Sequence, residues 1–266
     1  MSETGLRLSR TQRTRLWRWI GYGVLALVGV LALVFVDWGT LQENFFDPEI
    51  ARDLFPEVIT EAARATLIFS TLGFSIAFAL GLLLSVMKLS PVTPYRWLAT
   101  IYIEVFRGLP ALVTILFVGF GLPLATGFRL PGTWTTGAVA LGIVGSAYIA
   151  ETLRAGIQAV PPGQVEAARS LGMKPATAFL TVTLPQALRV VLPPLTNEFV
   201  LLLKDSSLLF FLGTTATTKE LAKFGRDASI EQFNSTPLIV VGLVYLAITV
   251  PLTQVAAWIE RRLSTR

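Results

Sequence analysis

The stretch Ile157–Pro185, IQAVPPGQVEAARSLGMKPATAFLTVTLP, interrupts an otherwise apolar chain and sets the reading of everything around it. Pro161-Pro162-Gly163 ends the preceding helix, because proline has no N–H for the ladder and its ring crowds the turn before it. Gln164–Leu171 then reads as a short helix, with Glu166 in its first turn, where the helix dipole favours an acid. Gly172 follows as the residue able to take a positive φ. Pro175 can open a second short helix from its first position, and that helix is expected to end before Pro185. Residues 158–185 are too few to bury a core of their own. The predicted shape is a compact, exposed two-helix knob that presents a small surface to a partner.

On both sides of this knob the sequence turns apolar. The chain has 266 residues, of which 53% are hydrophobic and 15% charged, against about 25% charged in an ordinary soluble domain. Its mean hydropathy is +0.64. A membrane-crossing helix needs roughly 20 mostly apolar residues, and six stretches qualify: Trp19–Val36, Thr66–Met87, Leu98–Ala125, Thr136–Ile157, Gln186–Leu212 and Pro237–Ile259. Polar residues and prolines interrupt the third and the fifth. The predicted fold class is therefore an all-α integral membrane protein of about six transmembrane helices, with no soluble domain. Trp17, Trp19, Trp38, Trp97, Trp134 and Trp258 fall near span ends, where amphipathic rings suit the interface. The first span reads as a retained anchor. Its apolar run exceeds the ~7–15 residues of a signal peptide, and no small-residue cleavage site follows it.

Charge sets the predicted orientation. Arg7, Arg10, Arg13, Arg15 and Arg18 precede the first span, with Glu3 the only acid among them. The next connection reverses the sign with Asp37, Glu43, Asp47, Glu49, Asp53, Glu57 and Glu61 against Arg52 and Arg64. With the N-terminus inside, Lys88, Arg96, Arg154, Arg169, Lys174, Arg189, Arg261, Arg262 and Arg266 all fall on the same side. Cytoplasmic loops carry the Lys and Arg excess, so both termini are expected in the cytoplasm and the knob with them. The net charge of +5 is then a topological signal, and no nucleic-acid partner is expected.

The composition also excludes chemistry. There is no His and no Cys, which removes His/Cys metal sites and the Ser-His and Cys-His nucleophile pairs. No metal site is expected. No G-x-x-x-x-G-K-[ST] phosphate loop occurs, so the chain has no nucleotide site of its own and no catalytic residue is assigned.

Ionisable residues inside spans are costly and face the protein interior or a cavity. Glu104 and Arg107, spaced i, i+3, are expected to pair on one helix face just before Gly108 and the helix-breaking Pro110; the alternatives are a self-neutralised pair and a gate or brace at the kink. Glu151 and Arg154 repeat the spacing at the inner end of the fourth span. Lys219, Glu220, Lys223, Arg226 and Asp227 read as an amphipathic helix on the outer side.

Glu166-Ala167-Ala168, three residues, Gly172, nine residues, Val182, one residue and Leu184-Pro185 resemble the EAA loop of bacterial ABC-importer permeases, with Val182 in place of an isoleucine as the one departure. Tyr102–Pro110 (YIEVFRGLP) and Leu202–Leu208 (LLKDSSL) are similar to segments of the polar-amino-acid-uptake branch, the histidine and glutamine permease relatives. The resemblance covers about residues 60–260. Residues 1–60, with the basic tail, first span and acidic connection, are an extra element; 61–260 form the permease core and 261–266 a cytoplasmic tail.

The resemblance implies a type I importer bundle in the bacterial cytoplasmic membrane that moves polar amino acids. It implies a second permease subunit, identical or homologous, two ATP-hydrolysing subunits and a periplasmic or lipid-anchored solute-binding protein, all in membrane lipid. ATP and Mg would be held by the partner ATPase, with no cofactor on this chain. Glu166, Ala167, Ala168, Gly172, Leu184 and Pro185 are implied as the ATPase-coupling loop. Asn197, Glu198, Lys204, Asp205, Ser206 and Ser207 are then expected on the substrate pathway, because a zwitterion needs a cation for its carboxylate and acids for its ammonium; a Lys204–Asp205 pair that only packs is the other reading. Pro193-Pro194 either kinks the fifth span, leaving Lys204 near the midplane, or lets it run straight, putting Lys204 near the outer surface. The alternative to the whole reading is an ion-gradient-driven secondary transporter or channel, which leaves the EAA loop unexplained.

Overall fold

The computed structural model describes residues 10–213 and 215–264, and all regular structure among them is helical. Glu3, Arg7 and Arg266, used above for orientation, lie outside the described residues. In chain order the helices are α1 (Arg10–Phe35), α2 (Trp38–Phe45), α3 (Pro48–Asp53), α4 (Val58–Leu89), α5 (Thr93–Gly108), α6 (Ala111–Thr126), α7 (Gly132–Gln158), α8 (Pro162–Ser170), α9 (Pro175–Leu212), α10 (Leu221–Glu231) and α11 (Thr236–Ser264).

Five of these (α1, α4, α7, α9 and α11) are long and apolar enough to cross a membrane. The third expected span, Leu98–Ala125, is not one rod: α5 and α6 meet at a bend of 111°. Pro110 lacks an N–H, and the residue before a proline avoids helical geometry; Leu109 accordingly sits at φ −87° and ψ 139°. Counting the bent pair as one gives the six spans expected.

The other revision concerns the knob's second helix. It does not end before Pro185 but runs on through α9 as one helix. A wide turn at Phe179–Thr183, in which the Leu184 N–H reaches the Phe179 carbonyl, makes room for the proline ring without breaking the rod. The helix also passes Pro193 and Pro194. At 1.5 Å per residue, Glu198 lies about 18 Å along the axis from Gln186 and Lys204 about 27 Å, so Lys204 is near the far end of the span and Glu198 near its middle.

The core is built on α4 and α7. Without a hydrophobic drive between helices in lipid, close approach depends on small residues. Gly73, Ala77 and Gly81 of α4 face Ala138, Gly142, Gly145 and Ser146 of α7 across a seam. A Cβ at Gly142 would stand 2.4 Å from the Ile76 Cγ2, and one at Gly81 2.8 Å from the Ile149 Cγ2. Phe69, Leu141, Ile149, Leu195, Leu202 and Leu209 join α9 to this seam as one buried cluster. A second cluster, around Leu54, Val58, Leu221 and Val241, holds α3, α10 and α11 to the start of α4.

The acidic connection after α1 is ordered by its acids. Asp37 and Asp47 cap α2 and α3 through their side chains, which explains part of the sign reversal in local terms. The Asp47 N–H donates to Thr236 Oγ1 at 3.0 Å and Asn234 Nδ2 to the Glu43 carbonyl at 2.8 Å, strapping α2 and α3 to the start of α11. Helix α1 buries none of its residues within the chain.

Gly142→Val is expected to destabilise the purified protein by about 1–3 kcal/mol through overpacking, read as a lowered thermal midpoint in detergent. Gly21→Ala, where nothing lies within 4 Å, is the control and should not lower it.

Candidate functional site

The knob folds around one turn. In α8, Leu171 N–H, Gly172 N–H and Met173 N–H bond the carbonyls of Ala167, Arg169 and Ala168 at 3.1, 3.0 and 3.2 Å. This is a Schellman closure, and it requires the left-handed φ of +84° found at Gly172. The expectation for Gly172 holds. Glu166 differs: the helix begins at Pro162, two residues earlier than the sequence suggested, which moves Glu166 out of the first turn. Glu166 and Ala167 are exposed, whereas Ala168 is buried inside the knob. Pro185 is exposed and Leu184 partly so. Gln186 bonds Gln164 and the Val182 carbonyl, tying α8 to the root of α9. Leu171, 83% exposed at the tip, was not singled out from the sequence. The signal for it was a leucine next to the turn glycine in a polar loop, an apolar side chain left for another surface to cover.

A second feature lies at the break between α5 and α6. A cavity of about 220 Å³ is lined by Leu109, Ala111, Gly145, Tyr148, Glu198 and Asp205, with apolar α7 and α9 side chains completing it. Glu198 and Asp205 are seven residues apart, two turns of α9, so both reach the same side. The Arg107 guanidinium stacks 5.7 Å from the centre of the Tyr148 ring, a cation–π contact at the rim of the same cavity. The expected Glu104–Arg107 pair does not form among the described residues: Arg107 has turned to Tyr148 on α7, and Glu104 is exposed.

The remaining predicted pathway residues separate. Lys204 is exposed, does not line the cavity and makes no ion pair with Asp205 among the described residues. Asn197 lines a different cleft, where Pro193 and Pro194 of α9 face Thr253 and Glu260 of α11. Ser206 is fully buried and donates to the Leu203 carbonyl at 2.7 Å, and Ser207 is half-buried. The structure thus brings Glu198 and Asp205 together with the Pro110 break, and leaves Lys204 and Asn197 outside that group.

Next to the knob, Glu151 joins α7 to α4. Both Arg154 Nε and Nη2 donate to Glu151 Oε2, at 2.8 and 2.7 Å, and Lys88 bonds Glu151 Oε1. Arg154 also bonds Gln158. The Glu151–Arg154 pair was legible from its spacing; Lys88, sixty-three residues away, was not. Glu220 was also missed: it reads as one charge of an amphipathic helix, but it is fully buried. Among the described residues there is no cluster of His, Cys, Asp or Glu suited to a metal ion.

Residues 77–265 match the model of the family described as "Binding-protein-dependent transport system inner membrane component". The chain is 41% identical over 198 residues to a probable glutamine ABC transporter permease protein of Bacillus subtilis, covering 74% of this chain and 89% of that one. It is 34% identical over 208 residues to an arginine transport system permease protein of the same organism, covering 78% and 93%. Among solved structures, an amino acid ABC transporter crystallised with histidines superposes with a TM-score of 0.73 at 37% identity, over 81% of this chain and 98% of that one.

Glu151→Gln should cost about 1.5–3 kcal/mol, the range for a hydrogen-bonded charged group, measured by thermal unfolding in detergent. Glu104→Gln, at an exposed site with no ion pair among the described residues, should stay within about 0.5 kcal/mol of the parent.

Proposed function

Because the chain belongs to the family of binding-protein-dependent transport system inner membrane components, we propose that it passes polar amino acids across the bacterial cytoplasmic membrane as the permease subunit of an ATP-driven importer. The observation that carries this is the knob: a glycine-closed pair of helix ends at 157–185 that leaves Glu166, Ala167 and Leu171 exposed. A separate ATP-hydrolysing subunit would receive it. The glutamine- and arginine-transport relatives support an amino-acid substrate.

The excess of Lys and Arg in the N-terminal tail, the knob and the C-terminal tail supports a cytoplasmic location for all three. The complex would comprise this chain, a second permease subunit, identical or homologous, two ATPase subunits holding ATP and Mg, and a solute-binding protein on the opposite side. Movement of the knob is carried directly into α9, since the two share one helix. Glu198 and Asp205 ride on that helix, so closure of the ATPase subunits shifts two carboxylates against the Pro110 break. In this reading Glu198 and Asp205 meet the substrate's cationic groups in the narrow part of the pathway, Ser206 and Ser207 close the polar run, Lys204 near the far end of the span serves the outer mouth, and Asn197, level with Glu198, lines the neighbouring cleft. Arg107 braces the break through Tyr148, in a gate with Glu104 and Pro110. A packed bundle with two discrete arrangements, biased by what binds each, is the physical basis of such coupling.

The test is uptake of labelled amino acids into proteoliposomes. Transport should require ATP, the ATPase subunit and the binding protein, and should survive collapse of ion gradients. Uptake on an ion gradient alone would identify a secondary transporter instead.

Gly172→Val forces a branched residue into the left-handed region at about 1–2 kcal/mol and reshapes the turn. It should cut ATP-driven uptake on the order of tenfold, a loss of about 1.4 kcal/mol of coupling, while the chain remains in the membrane. Glu166→Lys should act in the same direction. Lys204→Met should weaken the apparent substrate affinity with assembly intact; an unchanged affinity would remove Lys204 from the pathway.

A further inference from the structure

Glu220 lies on the connection between α9 and α11, outside the knob and the cavity, and neither feature uses it. Its carboxylate accepts the Ala222 and Lys223 N–H groups at 2.6 and 2.7 Å and the Tyr245 hydroxyl of α11 at 3.3 Å. The Leu221 N–H, the remaining free donor at the start of α10, goes to Thr66 Oγ1 of α4 at 3.0 Å, while the Phe224 N–H makes the first helical bond, to the Glu220 carbonyl. The three first-turn donors of α10, which a helix start leaves open, are thus met, two by the Glu220 carboxylate and one by a different helix. Behind this knot Gly225 touches α11 so closely that a Cβ would stand 2.8 Å from the Val241 Cγ2.

A purely local cap needs no burial. This one is fully buried and placed where α4, α10 and α11 meet, at the end of the bundle opposite the knob. We infer that Glu220 is a positioning residue for transport: with Thr66 and Tyr245 it latches α10 across the ends of α4 and α11, and the latch releases when the bundle opens on that side. This rests on the proposed transport cycle.

The groups facing the carboxylate are Lys223 on its own helix and Tyr245 on α11; the uncharged hydroxyls of Thr66 and Ser206 face the Tyr245 hydroxyl behind it. Lys219 is paired with Asp227, which also holds Lys223, and Glu57, Glu61 and Arg64, on the segment packed against α10, are exposed. Burial pushes the Glu220 carboxyl up to about 7, against the opposing pull of its hydrogen bonds and Lys223. A raised value means that the latched state favours the protonated form; as pH rises through about 7, that state must hold a buried charge and is weakened.

The experiment uses the assembled transporter in proteoliposomes. The chain has no cysteine, so Ala228→Cys, on α10 and partly buried against the second apolar cluster, is a single reporter for a membrane-impermeant maleimide. Labelling is expected to rise several-fold during ATP-driven turnover relative to rest, and at rest to rise from pH 6 to pH 8. Glu220→Gln, which keeps shape and an acceptor, should flatten the pH dependence while uptake continues; Glu220→Ala should raise resting labelling several-fold. Labelling that does not change on turnover, or a Glu220→Gln variant with the parent's pH profile, overturns the latch. Absence of ATP-driven uptake in the parent protein would instead overturn the transport reading on which it rests.

Discussion

The close contact of α4 with α7 is the constraint on which the rest depends. In lipid, two apolar helices gain little by hiding from solvent, so their affinity comes from packing. Glycines at 73, 81, 142 and 145 let the two backbones approach to distances that leave no room for a methyl group. That seam fixes where α9 can lie, because Leu202 and Val191 fill the spaces next to Gly145 and Gly156. It also fixes the cavity, one wall of which is Gly145 and Tyr148 of α7. At its lower end the seam is tied by Lys88, Glu151 and Arg154, directly beside the chain that leads into the knob.

From this scaffold a mechanical relation follows. Helix α7 enters the knob and α9 leaves it, so a push on the knob is delivered to a helix pair with one fixed and one adjustable member. The fixed member is held by the seam. The adjustable one, α9, contains a wide turn at 179–183 and two internal prolines, features that remove ladder bonds and make a helix easier to bend. Its carboxylates at 198 and 205 face the broken α5–α6 pair. Dense interiors do not deform continuously, which favours a switch between two packings over gradual bending.

Much of this was legible in the sequence, for identifiable reasons. Hydropathy located the spans because a bilayer imposes a minimum length, and the knob was legible because proline and glycine act locally: Pro161-Pro162-Gly163 and Gly172 do what their backbones dictate. Proline was ambiguous where tertiary packing decides. Pro110 breaks its helix by 111°, while Pro185 and Pro193-Pro194 are carried inside one. Ion pairs were legible only when both partners share a helix and nothing better is in reach; Arg154 kept Glu151, but Arg107 left Glu104 for a ring on another helix. Lys88 and the burial of Glu220 depend on contacts between distant segments and leave no local pattern.

The central claim is that the glycine-closed knob is where force from ATP hydrolysis enters the chain. Site-specific crosslinking tests it most directly, with a photoreactive side chain at Leu171, the exposed tip of the knob, and a control at Ile230, exposed at the end of α10. The account predicts an adduct between Leu171 and the ATPase subunit whose yield changes on adding ATP, and none from Ile230. An ATPase adduct from Ile230 with none from Leu171 would contradict it.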